Sequence, residues 1–494
     1  MAVLEERPSI RVRFPPSPTG HFHLGSARTA LFNWFFARHH KGQFVLRIED
    51  TDTERSEQKY EIELIESLKW LGLDWDEGPD WQLVNRKWQT SSRGDFGPYR
   101  QSERTHIYKK YLEKLLDEKK AYYCYCAKEE LEAERQAMII EGLPPKYSGH
   151  CRNLAKPPAL KTPQLIRFKT SETQVEFRDL IRGRVVFDAG LFGDIVIARN
   201  LESPLYNFSV VVDDYEMKIT HVIRGEEHLS NTPKQILLER ALGFPEPLYA
   251  HLPLILAPDR SKLSKRFSEA HFLQYREQGY LPEAMINFLA LLGWHPAGDQ
   301  EIFSIDELIE KFNLKRAQKA GAVFNREKLD WLNGEYLKKL SAAEIAERLK
   351  PFLKTKKISV SQKFLKKVVM VERERMKTLG DFLRLGGFFF ELPDYQPHLL
   401  TWKNNPSSKI KEVLEKAAEN LNNLPVKNFA RDKLAFALSE LIDENDRGTV
   451  LWPLRVAVSG QAASPDPLEI IEILGKEETV RRIKIAINKI GLAL

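Results

Sequence analysis

The stretch Ile10-Arg-Val-Arg-Phe-Pro-Pro-Ser-Pro-Thr-Gly-His-Phe-His-Leu-Gly-Ser26 decides how the rest of the chain is read. Its first five residues alternate apolar and charged, which predicts a short strand over 10–14. Residues 15–20, rich in Pro and ending in Gly, break that strand. A helix follows, with Ala27, Leu31, Trp34, Phe35 and Arg38 at helical spacing and Gly42 at its end. Residues 44–48 read as a second strand and residues 57–71 as an amphipathic helix. Strand, turn, helix, strand is the βαβ pattern of a parallel nucleotide-binding sheet. Where the strand hands over to the helix, free N–H groups and the helix dipole favour a bound anion. Gly20 and Gly25 would let backbone approach such a ligand, and His21 and His23 would add donors. The two glycines have P-loop separation, but Ser26-Ala27 stands where that motif needs Lys followed by Ser or Thr. By spacing alone, a tight βα turn with surface histidines explains the same residues equally well.

Outward from this point, composition sets the frame. The chain has 494 residues, enough for about three domains. At 43% hydrophobic and 29% charged it can bury real cores, which excludes a disordered or collagen-like class. Three Cys exclude a disulfide-stapled fold and point to a reducing compartment. The acidic N-terminus does not read as a secretory signal, so none is expected, and no apolar stretch reaches the about 20 residues needed to span a bilayer. A soluble cytoplasmic protein with no membrane partner is expected. The net charge of +6 permits a nucleic-acid partner without demanding one.

The character of the chain changes near residue 118. Tyr122-Tyr-Cys-Tyr-Cys126 leads into a charged helix over 129–140, a Pro/Gly-rich loop over 142–149 and short strands as far as residue 198. This segment is expected to be an inserted domain. Phe208-Ser-Val-Val-Val212 is expected to be a buried strand returning to the first sheet. Beyond Pro253 helices dominate, and after about Lys338 they are continuous, with Pro351, Pro393, Pro397 and Pro406 as breaks. A second basic element lies at Ala257-Pro-Asp-Arg-Ser-Lys-Leu-Ser-Lys-Arg266, where Lys262 and Lys265 flank Ser264. Alone it reads as a solvated loop.

Taken together, His23-Leu-Gly-Ser26 and Lys262-Leu-Ser-Lys-Arg266 resemble the HIGH and KMSKS elements of class I aminoacyl-tRNA synthetases. Arg47-Ile-Glu-Asp-Thr-Asp52, Gly97-Pro-Tyr-Arg-Gln-Ser-Glu-Arg104, Tyr206-Asn-Phe208, Val211-Val-Asp-Asp214, Ile223-Arg-Gly-Glu-Glu-His-Leu-Ser-Asn-Thr-Pro233 and Gly279-Tyr-Leu-Pro-Glu-Ala284 resemble bacterial-type glutamyl-tRNA synthetases. The resemblance is dense to about Trp331 and thinner afterwards. It departs at Ser26, at Glu227 where Asp is frequent, and at Phe267-Ser268 where the family often has His-Gly.

The resemblance implies an α/β Rossmann-type catalytic domain with an inserted α+β acceptor-binding domain, followed by all-α stem-contact and anticodon-binding domains. The corresponding segments are 1–115 and 206–250 for the two catalytic halves, 116–205 for the insertion, 251–337 for the stem-contact domain with the KMSKS-like loop, and 338–494 for the anticodon-binding region. The implied activity is ATP-dependent activation of L-glutamate, with magnesium, and transfer to the 3′ end of tRNA(Glu), with tRNA(Gln) an open second acceptor and a monomer expected. His23, Lys262 and Lys265 would stabilise phosphoryl charge, with His21 and Gly25 also at the ATP site. Arg13, Ser17, Glu49, Tyr206 and Arg224 would bind glutamate, Glu49 holding the ammonium and the arginines the carboxylates. Cys124, Cys126 and Cys151, with Tyr147 as fourth ligand, would hold a structural zinc; three thiols without metal remain the alternative. Arg373 and Arg375 would lie near the anticodon. The competing readings are a glutaminyl-tRNA synthetase, a truncated relative that glutamylates a tRNA base, and a non-catalytic RNA-binding protein on the same fold. Arg224, the helical C-terminus and the retained Lys265, Glu49 and Arg13 argue against them.

Overall fold

The computed structural model describes residues 9–52, 54–85, 87–159, 161–263, 269 and 271–491. The chain divides into two compact units, Met1–Tyr275 with Pro282–Arg326, and Arg276–Leu281 with Glu327–Leu494.

The first unit is built on a four-stranded parallel sheet. Strand β1 (Arg11–Phe14) leads to helix α1 (Leu24–His39), strand β2 (Gln43–Leu46) and helix α2 (Gln58–Leu71). A hairpin, β3 (Gly78–Val84) and β4 (Lys87–Arg93), precedes helix α3 (Thr105–Asp117). Gly42 allows the tight return from α1, because a Cβ there would lie 2.3 Å from the Ile10 carbonyl oxygen.

An excursion follows: β5 (Ala121–Cys124), helix α4 (Lys128–Ile140), β6 (Leu165–Phe168), the hairpin β7 (Gln174–Asp179) and β8 (Gly183–Asp188), β9 (Ile195–Asn200) and β10 (Ser203–Pro204). Four of these strands form an antiparallel sheet in the order β10-β9-β6-β5. The chain returns through helix α5 (Tyr206–Glu216), β11 (His221–Gly225), helix α6 (Thr232–Leu242) and β12 (Leu248–Leu252), completing the parallel order β12-β11-β1-β2.

One expectation is overturned. Phe208-Ser-Val-Val-Val212 lies within α5 and is not a strand. Residues 208–214 are all buried, so the helix shows no polar face and its apolar run imitates a core strand. The strand that returns to the sheet is β11, which carries Arg224.

The second unit is helical, with no strand among its described residues. Pro351 does not break its helix but lies inside Ala342–Thr355. Pro351 and Glu347, whose carbonyl loses its bond, both lie on the exposed side, where water can take over. Helix Ser407–Asn423 packs on Lys476–Gly491, whose Arg482 is 1% exposed and donates to the carbonyls of Phe388 and Val458.

Candidate functional site

Above the parallel sheet lies a cavity of about 1480 Å³. Arg13, Ser17, His21, His23, Gly25, Glu49, Tyr206, Arg224 and Lys262 all line it, so the structure brings these sequence-predicted residues to one site. Lys265 lies outside the described residues. Arg373 and Arg375 belong to the second unit. There Arg375 is held by the buried Glu372 at 2.8 Å, which gives it a scaffold contact, while Arg373 keeps a third of its side chain exposed.

The floor of the cavity is a network of buried charge. Arg47, with no exposed side chain, donates from Nη1 to Asp214 (2.7 Å) and from Nη2 to Glu49 (3.1 Å), and its Nε lies 3.7 Å from Asp213. Arg13 donates from Nε to Asp214 (3.2 Å). Arg104 donates to Asp213 (2.6 Å), which also accepts from Gln101 and Tyr108. Three guanidinium groups thus face three carboxylates. Burial pushes the Glu49 carboxyl up to about 7, against the downward pull of Arg47 and Arg13. One Glu49 oxygen takes the Arg47 bond, and the other has no hydrogen bond among the described residues.

Three arginines that line the cavity each leave one buried guanidinium nitrogen unsatisfied. Arg13 Nη1 and Arg224 Nη1 are buried without a hydrogen-bond partner. Arg28, the third, differs in that its terminal nitrogens bond the carbonyls of Leu292 and Pro253, and only its inner Nε lacks a partner. Arg224 is 4% exposed and has no ion-pair partner among the described residues. Its bonds go to uncharged acceptors: Nη2 to Thr232 Oγ1 (2.8 Å) and Gln235 Oε1 (2.7 Å), and Nε to His251 Nε2 (3.2 Å). A buried cation supplied only with neutral partners is costly unless an anion completes it. Tyr206 stands beside it, its hydroxyl 3.1 Å from His228 Nδ1. Burial, reinforced by Arg224, lowers the His228 pKa to about 4 and keeps that ring neutral.

At the other end, His23 caps α1. Its Nδ1 accepts the Ser26 N–H at 3.2 Å, which leaves the ring proton on Nε2. Burial lowers its pKa and nearby Lys262 lowers it further, against Glu227, so the ring is a neutral N–H donor. Gly25 has a role the spacing did not show: a Cβ there would sit 3.2 Å from the His23 ring, so glycine makes room for the cap. His21 is more exposed, and Glu63 holds its Nδ1 at 2.7 Å.

Elsewhere in the unit, Cys124, Cys126 and Cys151 bring their sulfurs within 4.8 Å of one another. Tyr147 Oη lies 3.6 Å from Cys124 Sγ and 3.5 Å from Cys126 Sγ, and the Cys126 and Cys151 sulfurs are 3.6 Å apart. Ligands at the metal–sulfur distance of about 2.3 Å around a tetrahedral zinc have about this spacing. The Arg167 guanidinium, 3.8 Å above the Tyr147 ring, supplies positive charge beside the cluster.

Several participants had no local signature in the sequence. Asp213, Asp214, Arg47, His228 and Thr232 stood in quoted motifs without a role, and His251 and Gln235 stood in none. Only tertiary proximity identifies them.

Comparison with known proteins gives a consistent result. The family "tRNA synthetases class I (E and Q), catalytic domain" matches residues 9–331, and "Anticodon binding domain" matches residues 344–487. A glutamate–tRNA ligase 1 from Caldanaerobacter subterraneus subsp. tengcongensis is 44% identical over 491 residues, covering 97% of this chain and 98% of that protein. A glutamate–tRNA ligase from Thermodesulfovibrio yellowstonii is 44% identical over 498 residues, covering 97% and 99%. The crystal structure of a glutamate tRNA ligase from Elizabethkingia meningosepticum in complex with its amino acid superposes with a TM-score of 0.84 at 35% identity, covering 97% and 99%.

The charge network generates a stability prediction. Asp213→Ala removes the acceptor shared by Arg104, Gln101 and Tyr108 and costs about 3–5 kcal/mol. Calorimetry should show the first unfolding transition several degrees lower. Melting at the wild-type temperature would show the network to be dispensable.

Proposed function

Because the chain belongs to the glutamate–tRNA ligases of class I, we propose how its own residues carry out that activity. The observation that carries the reading is the pair of unsatisfied terminal nitrogens, Nη1 of Arg13 and Nη1 of Arg224, in arginines that line the same cavity as Glu49. Two bare cationic donors and one carboxylate mirror L-glutamate, which has two carboxylates and one ammonium. Arg224 takes one carboxylate and Arg13 the other, Glu49 holds the ammonium, and the Ser17 and Tyr206 hydroxyls complete the contacts. Glutamine offers an amide where a guanidinium needs an anion, and leaving that arginine unpaired costs about 3–5 kcal/mol, enough to reject it.

ATP binds over the N-terminus of α1. The His23 Nε2–H and the free amides of that turn, with Gly25 and His21 beside them, meet its phosphates. Lys262, and Lys265 beyond the described residues, bring further positive charge. Magnesium, when bound, shares the phosphate charge. The α-carboxylate of glutamate attacks the α-phosphate and pyrophosphate leaves; the terminal ribose hydroxyl of tRNA(Glu) then attacks the carbonyl of the glutamyl-adenylate and AMP leaves. Positioning and charge stabilisation account for most of the catalysis, a single well-aimed donor being worth about 3–4 kcal/mol. The insertion over 116–205 would meet the acceptor end of the tRNA, residues 251–337 its stem, and residues 338–494, with Arg373 and Arg375, its anticodon. The cytoplasm is the matching location.

Cys124, Cys126, Cys151 and Tyr147 would hold a structural zinc that orders the insertion. Protein purified without chelator should then carry about one zinc per chain and lose it, with insertion stability, on Cys151→Ala. Absence of zinc in the wild-type protein leaves the three-thiol alternative.

The central test is ATP–pyrophosphate exchange with glutamate or glutamine, with and without tRNA(Glu) and tRNA(Gln). Glutamate should be activated and glutamine rejected, and Arg224→Ala should abolish glutamate-dependent exchange. Wild-type turnover in that variant would remove Arg224 from the site.

Glu49 sets a pH dependence. A carboxyl raised to about 7 loses its charge as pH falls through that value, and with it the ammonium contact. The KM for glutamate should therefore climb below pH 7, by up to about tenfold per unit, while Glu49→Gln should have a high and flat KM. A wild-type KM level from pH 6 to 8 would contradict the assignment.

A further inference from the structure

The excursion between β5 and β10 sends one side chain back into the catalytic sheet. Asp179, the last residue of β7, is fully buried in its side chain and meets His251 of β12. Its Oδ1 accepts the amides of Ile181 (2.9 Å) and Arg182 (2.7 Å). Its Oδ2 accepts the amide of His251 (3.1 Å) and stands 2.6 Å from His251 Nδ1. The same turn is clamped to the sheet by Leu180, whose amide donates to the Tyr249 carbonyl (2.8 Å), and by Arg182, whose Nε donates to the His251 carbonyl (3.3 Å).

His251 in turn meets Arg224. The two are direct register partners on the parallel strands β12 and β11, which sets their side chains side by side on one face. An ionised carboxylate can only accept, so His251 Nδ1 carries the proton. The Arg224 Nε–H can only donate, so His251 Nε2 must offer a lone pair, and the separation is 3.2 Å. One tautomer satisfies both demands.

We propose that Asp179 and His251 are positioning residues for the amino-acid substrate: Asp179 fixes the Nδ1–H tautomer of His251, and the Nε2 lone pair so presented aims the Arg224 guanidinium into the cavity. The inference rests on the reading of Arg224 as a carboxylate contact. Neither residue touches substrate. Their chemistry explains why the shell around Arg224 is uncharged. A carboxylate in the place of His251 would pair with Arg224 and quench the charge meant for the ligand. An imidazole holds the Nε–H without neutralising it, leaving Nη1 without a partner in a residue that lines the cavity. The other direct contacts of Arg224 are uncharged too, while the Asp214 carboxylate, which Arg224 feels at longer range, is already engaged by Arg13 and Arg47. Thr232 and Gln235 are neutral acceptors, and Tyr249 stacks on the guanidinium with its centroid 5.4 Å away. Behind Tyr249, burial raises the Glu239 carboxyl to about 8, so it is protonated at neutral pH. Burial likewise lowers the His251 pKa, against its bond to Asp179.

The test is glutamate-dependent ATP–pyrophosphate exchange, run with tRNA present, on the full chain. His251→Phe keeps a planar ring and removes the acceptor. It should raise the KM for glutamate about ten- to a hundredfold, the worth of one hydrogen bond to a charged group, with little change in the KM for ATP. His251→Gln, whose amide oxygen can accept from Arg224, should recover most of the loss. Asp179→Asn, with one acceptor oxygen for two sets of donors, should raise the glutamate KM in the same direction. Long-range ¹H–¹⁵N correlation on wild-type protein, with the His251 signal identified by its loss in His251→Gln, should report the Nδ1–H form.

A glutamate KM in His251→Phe within about twofold of wild type, or a wild-type His251 protonated on Nε2, overturns the proposal. So does a Gln variant no better than Phe, because that is the result of a merely packed ring. If a variant fails to fold, the tautomer measurement on the wild-type chain still decides. Arg224→Ala separates the two readings. No effect of Arg224→Ala on glutamate activation defeats the reading of the cavity itself. A large effect there with none in His251→Phe defeats only the positioning role.

Discussion

Arg47 has no exposed side-chain surface, yet it bonds Asp214, 167 residues further along the chain. The rest of the catalytic unit is arranged around that buried contact. Charges removed from water are costly, and their attraction compensates only when geometry and remaining hydrogen bonds are both good. Here Asp213 collects Arg104, Gln101 and Tyr108, and Asp214 collects Arg13 and Arg47. The carboxylates come from α5, and the arginines come from β1, from just beyond β2 and from the entry to α3. None of these pairs to Asp213 or Asp214 is local in sequence, so this part of the network forms only when the segments are correctly assembled. It also leaves Glu49 poised close to neutral pH, one oxygen engaged and one open.

On this floor the cavity is organised by contrast. Arg13 is tied to a carboxylate on one side and bare on the other. Arg224 is tied to uncharged acceptors and carries its full charge to the wall. At the far end His23 is neutral, with its proton on the nitrogen that does not cap the helix. Groups held in this way need little rearrangement to meet a charged ligand.

Much of this was legible in the sequence, for identifiable reasons. The first βαβ unit could be read because its strands are short, its turn is rich in Pro and its helix spacing is regular. The cavity residues came from motifs whose order resembled a known family, and nine of them line the cavity together. The α5 segment was misread because a helix buried on every side has no amphipathic period, and Val residues then argue for a strand. Pro351 was misread because an exposed helix face tolerates a missing amide. Asp179 and His251 were illegible for a different reason. A lone Asp at a strand end and a lone His in an apolar strand have no spacing to recognise, and only the register of β11 against β12 brings them to Arg224.

The order of the central sheet has a consequence for biosynthesis. Strand β1 lies between β2 and β11, and its Arg11 amide is satisfied by Thr220, 209 residues downstream. At a ribosomal pace of about 5–20 residues per second, that partner emerges on the order of 10–40 s after the strand it completes. Meanwhile one edge of β1 and the largely buried α1 lack their final neighbours. The open edge of β1 therefore persists through that interval, and a pause placed before residue 220 would lengthen it.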